Sequence, residues 1–454
     1  MDMTIDEDTL RELPGRAGAD RPPARPVSLP ARNGFTETLP VPVRDYRGHD
    51  ITGASPAALE NFEAALATFQ RWRIGADLLL DRALLEAPGF TMAHVLGAYL
   101  TLLSRDPARV RLARTAHANA RASGANPREQ MHLAAIRTAL DDDYEGAKTR
   151  LAALLDAFPR DVLALQVAHA FDHATGETER MAARVASVLP AWSPSMPGHA
   201  SVLAMHAFSL AECDDTARAE RAAREALDLD PFDARAHHAL AHVCEMTGRA
   251  EAGIRGLLDT RAYWAIGTTV ATHCWWHIAL FHLARDDAAG AVSIYDEHVR
   301  AARSTDVADL IDASALLWRI QLTGGPVGSR WTELAAAWAP HVTDGFCSFN
   351  DVHAMLAFVG AGNHALAEAL EHELVRRARL CTRHGETTRQ IGLPACRAIV
   401  AFGQGDHARS AGLLGWISTH VPRIGGSRAQ RDVLGLTLRQ AVERLRRPHW
   451  QVAA

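Results

Sequence analysis

Ala226-Leu227-Asp228-Leu229-Asp230-Pro231, followed by Ala234-Arg235-Ala236-His237-His238-Ala239-Leu240-Ala241-His242-Val243-Cys244-Glu245-Met246 and then Gly248-Arg249, decides the fold. A helical run closes on a proline, a second run carries small residues at helical spacing, and a glycine ends it. A further helix continues through Gly253-Ile254-Arg255-Gly256-Leu257-Leu258. The same ending occurs earlier as Ala83-Leu84-Leu85-Glu86-Ala87-Pro88 and as Leu154-Leu155-Asp156-Ala157-Phe158-Pro159. The three closing prolines are 71 and 72 residues apart, which is twice a unit of about 35 residues.

A helix pair repeating at that period, with a small residue in mid-repeat and a closing proline, is the signature of tetratricopeptide repeats. Helix signals dominate from Ala54-Ser55-Pro56 onward, and alternating strand patterns are essentially absent. The expected fold is all-α, a tetratricopeptide-like α-solenoid of roughly ten helix pairs curled into a compact superhelix. Gly324-Gly325-Pro326 and Gly385 mark breaks in a more degenerate C-terminal third. Residues 1–45 hold seven of the 21 prolines and no sustained apolar period. They are expected to form an extended or disordered arm, leaving 46–454 as a single helical-repeat domain.

Composition excludes several functions. Of 454 residues, 48% are hydrophobic and 22% charged, enough apolar material for a large core. A net charge of −5 with no basic run argues against nucleic acid as a partner. No uninterrupted apolar stretch is long enough to span a membrane. The acidic opening Met1-Asp2-Met3-Thr4-Ile5-Asp6-Glu7-Asp8 lacks a secretory h-region. Six dispersed cysteines without a CxxC pair fit a reduced cytoplasm better than a disulfide framework. Lys148 is the sole lysine, in Tyr144-Glu145-Gly146-Ala147-Lys148-Thr149-Arg150, which is not a phosphate-binding loop. Schiff-base, P-loop and kinase chemistry are thereby excluded.

With Ala234 as position 1 of its repeat, His238, His242 and Glu245 occupy positions 5, 9 and 12, one stripe on one helical face. In a solenoid of helix pairs such a stripe lines the concave surface. The next pair opens Thr272-His273-Cys274-Trp275-Trp276-His277-Ile278-Ala279-Leu280-Phe281-His282 and brings His273 and Trp276 to the same surface. The window from His237 to His282 holds six of the 23 histidines, where uniform spacing gives about two, so the concavity is imidazole-rich and suits a planar, polar or anionic ligand. His94, Gln166 with His173, and His353 beside Asp351 add polar residues on other first helices. His238/His242 and His273/His277 both have the i, i+4 spacing of zinc ligands. With no HExxH and no facial carboxylate pattern, spacing alone assigns neither metal nor cofactor. Cys274, one turn from His277, sits in a helix interior that gives no sign of a lowered thiol pKa.

The run His238-Ala239-Leu240-Ala241-His242-Val243-Cys244-Glu245-Met246 with His273-Cys274-Trp275-Trp276-His277 resembles the tetratricopeptide repeat protein 38 family. So do Leu317-Trp318-Arg319, Val327-Gly328-Ser329-Arg330-Trp331, Gly392-Leu393-Pro394 and Ile424-Gly425-Gly426-Ser427-Arg428-Ala429-Gln430-Arg431-Asp432. The similarity covers nearly everything after residue 45, with one departure at Arg428, where the closing motif is expected to carry histidine. The resemblance implies a cytosolic helical-repeat fold and transfers no catalytic residues.

Three functions remain open from sequence: a peptide-binding module, a small-molecule binder or enzyme, and a scaffold without a site. The leading expectation is a small polar or anionic molecule held in the histidine- and tryptophan-rich pocket. His242 is then the candidate general base and Glu245 its orienter. His238, His273 and His277 are polar anchors, Trp276 stacks on the ligand, and Arg319 and Arg431 pair with a carboxylate or phosphate. A peptide segment is the alternative ligand, the reaction is open, and so is assembly as a homodimer.

Overall fold

The computed structural model describes residues 43–104 and 106–446. Most of the expected arm, 1–42, therefore lies outside the described residues. Residues 43–45 belong to the body: the Ile51 N–H donates to the Val43 carbonyl at 2.9 Å, and Asp45 is buried.

The fold is all-α, and two isolated bridges are the only β pairing among the described residues. The three closing prolines each fall two residues past a helix, after Ala76–Glu86, Tyr144–Ala157 and Thr216–Leu229. Proline cannot continue the hydrogen-bond ladder, so each helix stops there. Within the pairs a second signal repeats. Asp142, Asp214 and Asp286 all have φ near +60° (64°, 64° and 59°), and each is followed by an aspartate whose carboxylate caps the next helix through the N3 backbone N–H. Gly176, Gly248 and Gly324 supply the same left-handed turn in the intervening pairs, with φ of 73°, 68° and 80°. Among the described residues, ten helix pairs precede a last helix, Arg428–Arg446.

Helices pack on their chain neighbours, and first helices of successive pairs pack on one another. His199–Glu212 lies against Ala234–Met246, which touches Ala271–Leu283, which touches Val307–Leu322. Distant parts of the chain also meet. The Ile74 N–H donates to the Gly267 carbonyl at 3.1 Å and the Thr269 N–H to the Trp72 carbonyl at 2.8 Å, joining the first pair to the segment between the sixth and seventh. The closing motif crosses back in turn. A Cβ at Gly425 (φ 82°) would sit 2.2 Å from the Ala174 carbonyl oxygen, and one at Gly426 (φ 81°) 2.2 Å from the Phe349 ring, so both positions require glycine. The sole lysine is structural. Lys148 is 1% exposed, with Nζ on Glu145 at 2.6 Å and on Thr175 at 2.7 Å.

Candidate functional site

Ala234–Met246 and Ala271–Leu283 stand side by side as first helices of adjacent pairs. An i, i+4 pair of histidines on each projects toward the other. The ring centroids of His238 and His242 are 4.5 Å apart, those of His242 and His277 4.6 Å, and those of His238 and His273 4.9 Å. His238 Nε2 lies 3.0 Å from His242 Nε2. His238, His242 and His277 are buried and His273 is half-buried. Burial, reinforced by the neighbouring imidazoles, holds the first three well below the ordinary histidine pKa, so they are neutral at pH 7.

Behind the rings stand three carboxylates. His273 Nδ1 donates to Asp312 Oδ2 at 2.8 Å. His277 Nδ1 lies 3.2 Å from Glu245 Oε2 but off the line of a hydrogen bond. His242 Nδ1 lies 3.6 Å from Glu212 Oε1. The closing motif braces two of these carboxylates. The Arg428 backbone N–H donates to Glu212 Oε2 at 2.9 Å, and the Gln430 amide donates to Asp312 Oδ1 at 3.2 Å. Because the main chain of Arg428 makes this contact, a residue other than the expected histidine serves; its side chain pairs with exposed Asp214.

The cluster forms part of the wall of a large cavity of about 1260 Å³. His238 and His273 line it, with Asp312 and Gln430 beside them. Next to His238 the wall is Trp72, Phe208 and Arg235: Phe208 stacks on His238 at 5.4 Å, and Trp72 is 5.5 Å away. Arg235 is 1% exposed and its guanidinium lies 4.6 Å over the Trp72 ring. Nε has no hydrogen-bond partner, and among the described residues no ion pair ends on this side chain. Burial lowers its pKa to about 10, so it stays charged at neutral pH. His94, Gln166 and His173 also line the cavity. His353 does not; its Nδ1 donates to the Phe349 carbonyl at 2.8 Å, and Asp351 is paired with Arg377 at 2.9 Å.

The expected site residues thus divide. His238 and His273 face the cavity, while His242 and His277 sit behind them in the same cluster. Trp276, expected to stack on a ligand, is fully buried away from the cavity and stacks on His273 at 5.0 Å with a 13° tilt. Glu245 and Arg319 line a separate cavity of about 390 Å³ with Asp432. The Arg319 guanidinium lies 5.4 Å from the centre of the Trp276 ring and donates to the Ala315 carbonyl at 2.9 Å. Arg431 lines neither cavity; its guanidinium donates to the Gly426 carbonyl and lies 3.9 Å from Glu212. Cys274 is buried and its thiol pKa is pushed far up, which removes it as a nucleophile. Sequence reading missed Arg235, Trp72, Glu212 and Asp312. The available signal for the acids was a carboxylate within an otherwise apolar helical run, Leu310-Ile311-Asp312-Ala313 and Phe208-Ser209-Leu210-Ala211-Glu212.

A scan against protein-family models finds no match for this chain. Fold and site together define an all-α helical-repeat protein with a large cavity that has clustered histidines in its wall. Among the described residues no helix is long and apolar enough to cross a membrane.

Proposed function

We propose that this protein is a cytoplasmic, tetratricopeptide-like relative of the repeat protein 38 family. In this reading it binds a small polar anion in the large cavity, and the histidine wall meets the bound molecule. The observation that carries the reading is Arg235. An arginine 1% exposed, with an unpartnered Nε and, among the described residues, no ion pair, is an unusual thing to find beside a cavity. Its planar fork matches a carboxylate or phosphate, and Trp72 beneath it offers a face for a flat ligand. An anion entering the cavity supplies the partner that the fold withholds.

The cavity exceeds the roughly 300–1,000 Å³ usual for small-molecule sites. That size is what favours the second reading, a short acidic peptide segment held by the same arginine. The test is a thermal-shift screen of the full-length protein against small carboxylates, phosphate esters and acidic peptides, repeated on Arg235→Met. The proposal expects stabilisation by one class of small anion that disappears in the variant. Stabilisation by acidic peptides alone supports the second reading, and equal shifts in both proteins refute both.

A further inference from the structure

His238 and His242 come from one helix, His273 and His277 from the next pair, yet one nitrogen of each ring lies within 4.8 Å of one from every other. A hydrogen bond between His238 Nε2 and His242 Nε2 accounts for those two atoms only. His238 Nδ1 and both nitrogens of His277 are buried without any hydrogen-bond partner, as is Glu245 Oε2. Orphaned buried polar atoms are rare, and His277 Nε2 is one that the fold leaves with no partner inside the cluster. Each of His242, His273 and His277 turns Nδ1 toward its own carboxylate, Glu212, Asp312 and Glu245 respectively. That leaves Nε2 as the nitrogen facing inward, which is how metal-bound imidazoles are oriented by a second layer of carboxylates.

We propose that His238, His242, His273 and His277 form a binding site for a divalent first-row transition ion. An all-imidazole set suits Zn²⁺, Fe²⁺, Co²⁺, Ni²⁺ or Cu²⁺; it offers none of the oxygen ligands that Mg²⁺ and Ca²⁺ require. Ligand nitrogens on a tetrahedral zinc stand about 3.4 Å apart. The 3.0 Å between His238 and His242 is already on that scale, and all four ligand atoms lie within 4.8 Å of one another. Because His238 and His273 also line the large cavity, the ion would lie at its wall. Metal binding is a property of these side chains alone and does not rest on the anion proposal.

The full-length protein, stripped with a chelator and shown to be folded by circular dichroism, is titrated with Co²⁺. The readouts are elemental analysis and the visible absorption of the bound ion. The proposal expects one Co²⁺ per chain, displaceable by Zn²⁺, with binding weakened at least 100-fold in His242→Gln and in His277→Gln. His237→Gln and His282→Gln, on the same two helices but outside the cluster, should leave binding unchanged. Folded wild-type protein that takes up none of the five ions overturns the proposal. So does undiminished binding in a folded His242→Gln protein. If both cluster variants unfold, Asp312→Asn decides: unaltered Co²⁺ affinity and spectrum overturn the assignment, and weaker binding sustains it.

Discussion

Asp312 joins two layers of the site: one oxygen accepts from His273 Nδ1 at 2.8 Å, and the other accepts from the Gln430 amide at 3.2 Å. The ring that faces the cavity is thereby fixed by a residue 39 positions away, which is itself fixed by one 118 positions further on. Asp312→Asn should keep the fold, because it is nearly isosteric, but it no longer holds the His273 N–H with a charge. Metal affinity should fall about 10–100-fold, measured by competition against a chromophoric chelator. A variant with wild-type affinity and an unaltered Co²⁺ spectrum would contradict the assignment of the four-histidine site.

Arg235→Met separates binding from stability. Arginine buried without an ion pair gives the fold little, so its replacement by a long apolar side chain should change stability by no more than about 1 kcal/mol. The ligand-induced thermal shift should vanish at the same time. A loss above about 3 kcal/mol in urea unfolding would instead make Arg235 a structural residue.

The closing motif supplies a steric test. Gly425→Ala places a methyl group 2.2 Å from the Ala174 carbonyl oxygen at φ 82°. Both the clash and the left-handed backbone oppose it, so the urea midpoint should drop by the equivalent of more than about 2 kcal/mol. Gly405→Ala has an open surrounding at φ 80° and carries the backbone penalty alone, so its effect should be smaller, about 1 kcal/mol. Equal losses would mean that the packing of the motif against Ala174 is unimportant.

Stability should fall in mild acid. Burial lowers His169 to about 3 and His384 to about 4, below the roughly 6.5 of an unfolded histidine. The unfolded chain therefore takes up protons first as the pH drops. Their contribution is complete above about 6.5 and is lost below it, by about 1.4 kcal/mol per pH unit for each such histidine. Urea midpoints at pH 7.5 and 5.5 measure this. A midpoint that stays level or rises on acidification contradicts the assignment.

The helical-repeat fold was legible because its signals are local. Pro88, Pro159 and Pro231 end helices wherever they occur, and Asp142-Asp143, Asp214-Asp215 and Asp286-Asp287 carry a left-handed turn and an N-cap in two adjacent letters. The histidine stripe was legible for the same reason, since His238 and His242 share a helical face by spacing alone. Contacts between repeats were not. Nothing near Glu212 in the chain announces that Arg428 will donate to it, and Trp72 meets His238 only because the first pair returns to the sixth. Trp276 and Arg319 illustrate the limit of position rules: Trp276 neighbours His277 in the chain yet is fully buried, and Arg319 opens on the separate cavity. The unpartnered Nε of Arg235 is a three-dimensional fact, because nearby Asp233 accepts hydrogen bonds from Ser201 Oγ at 2.5 Å and from the helix N-terminus instead.

Diffraction from crystals of Zn²⁺-loaded protein, with data collected on both sides of the zinc absorption edge, tests the central claim most directly. The account predicts one strong anomalous peak per chain within bonding distance of His238, His242, His273 and His277, at the wall of the cavity that Arg235 also lines. A map with no peak among these four rings, or with its only peak elsewhere on the surface, would contradict it.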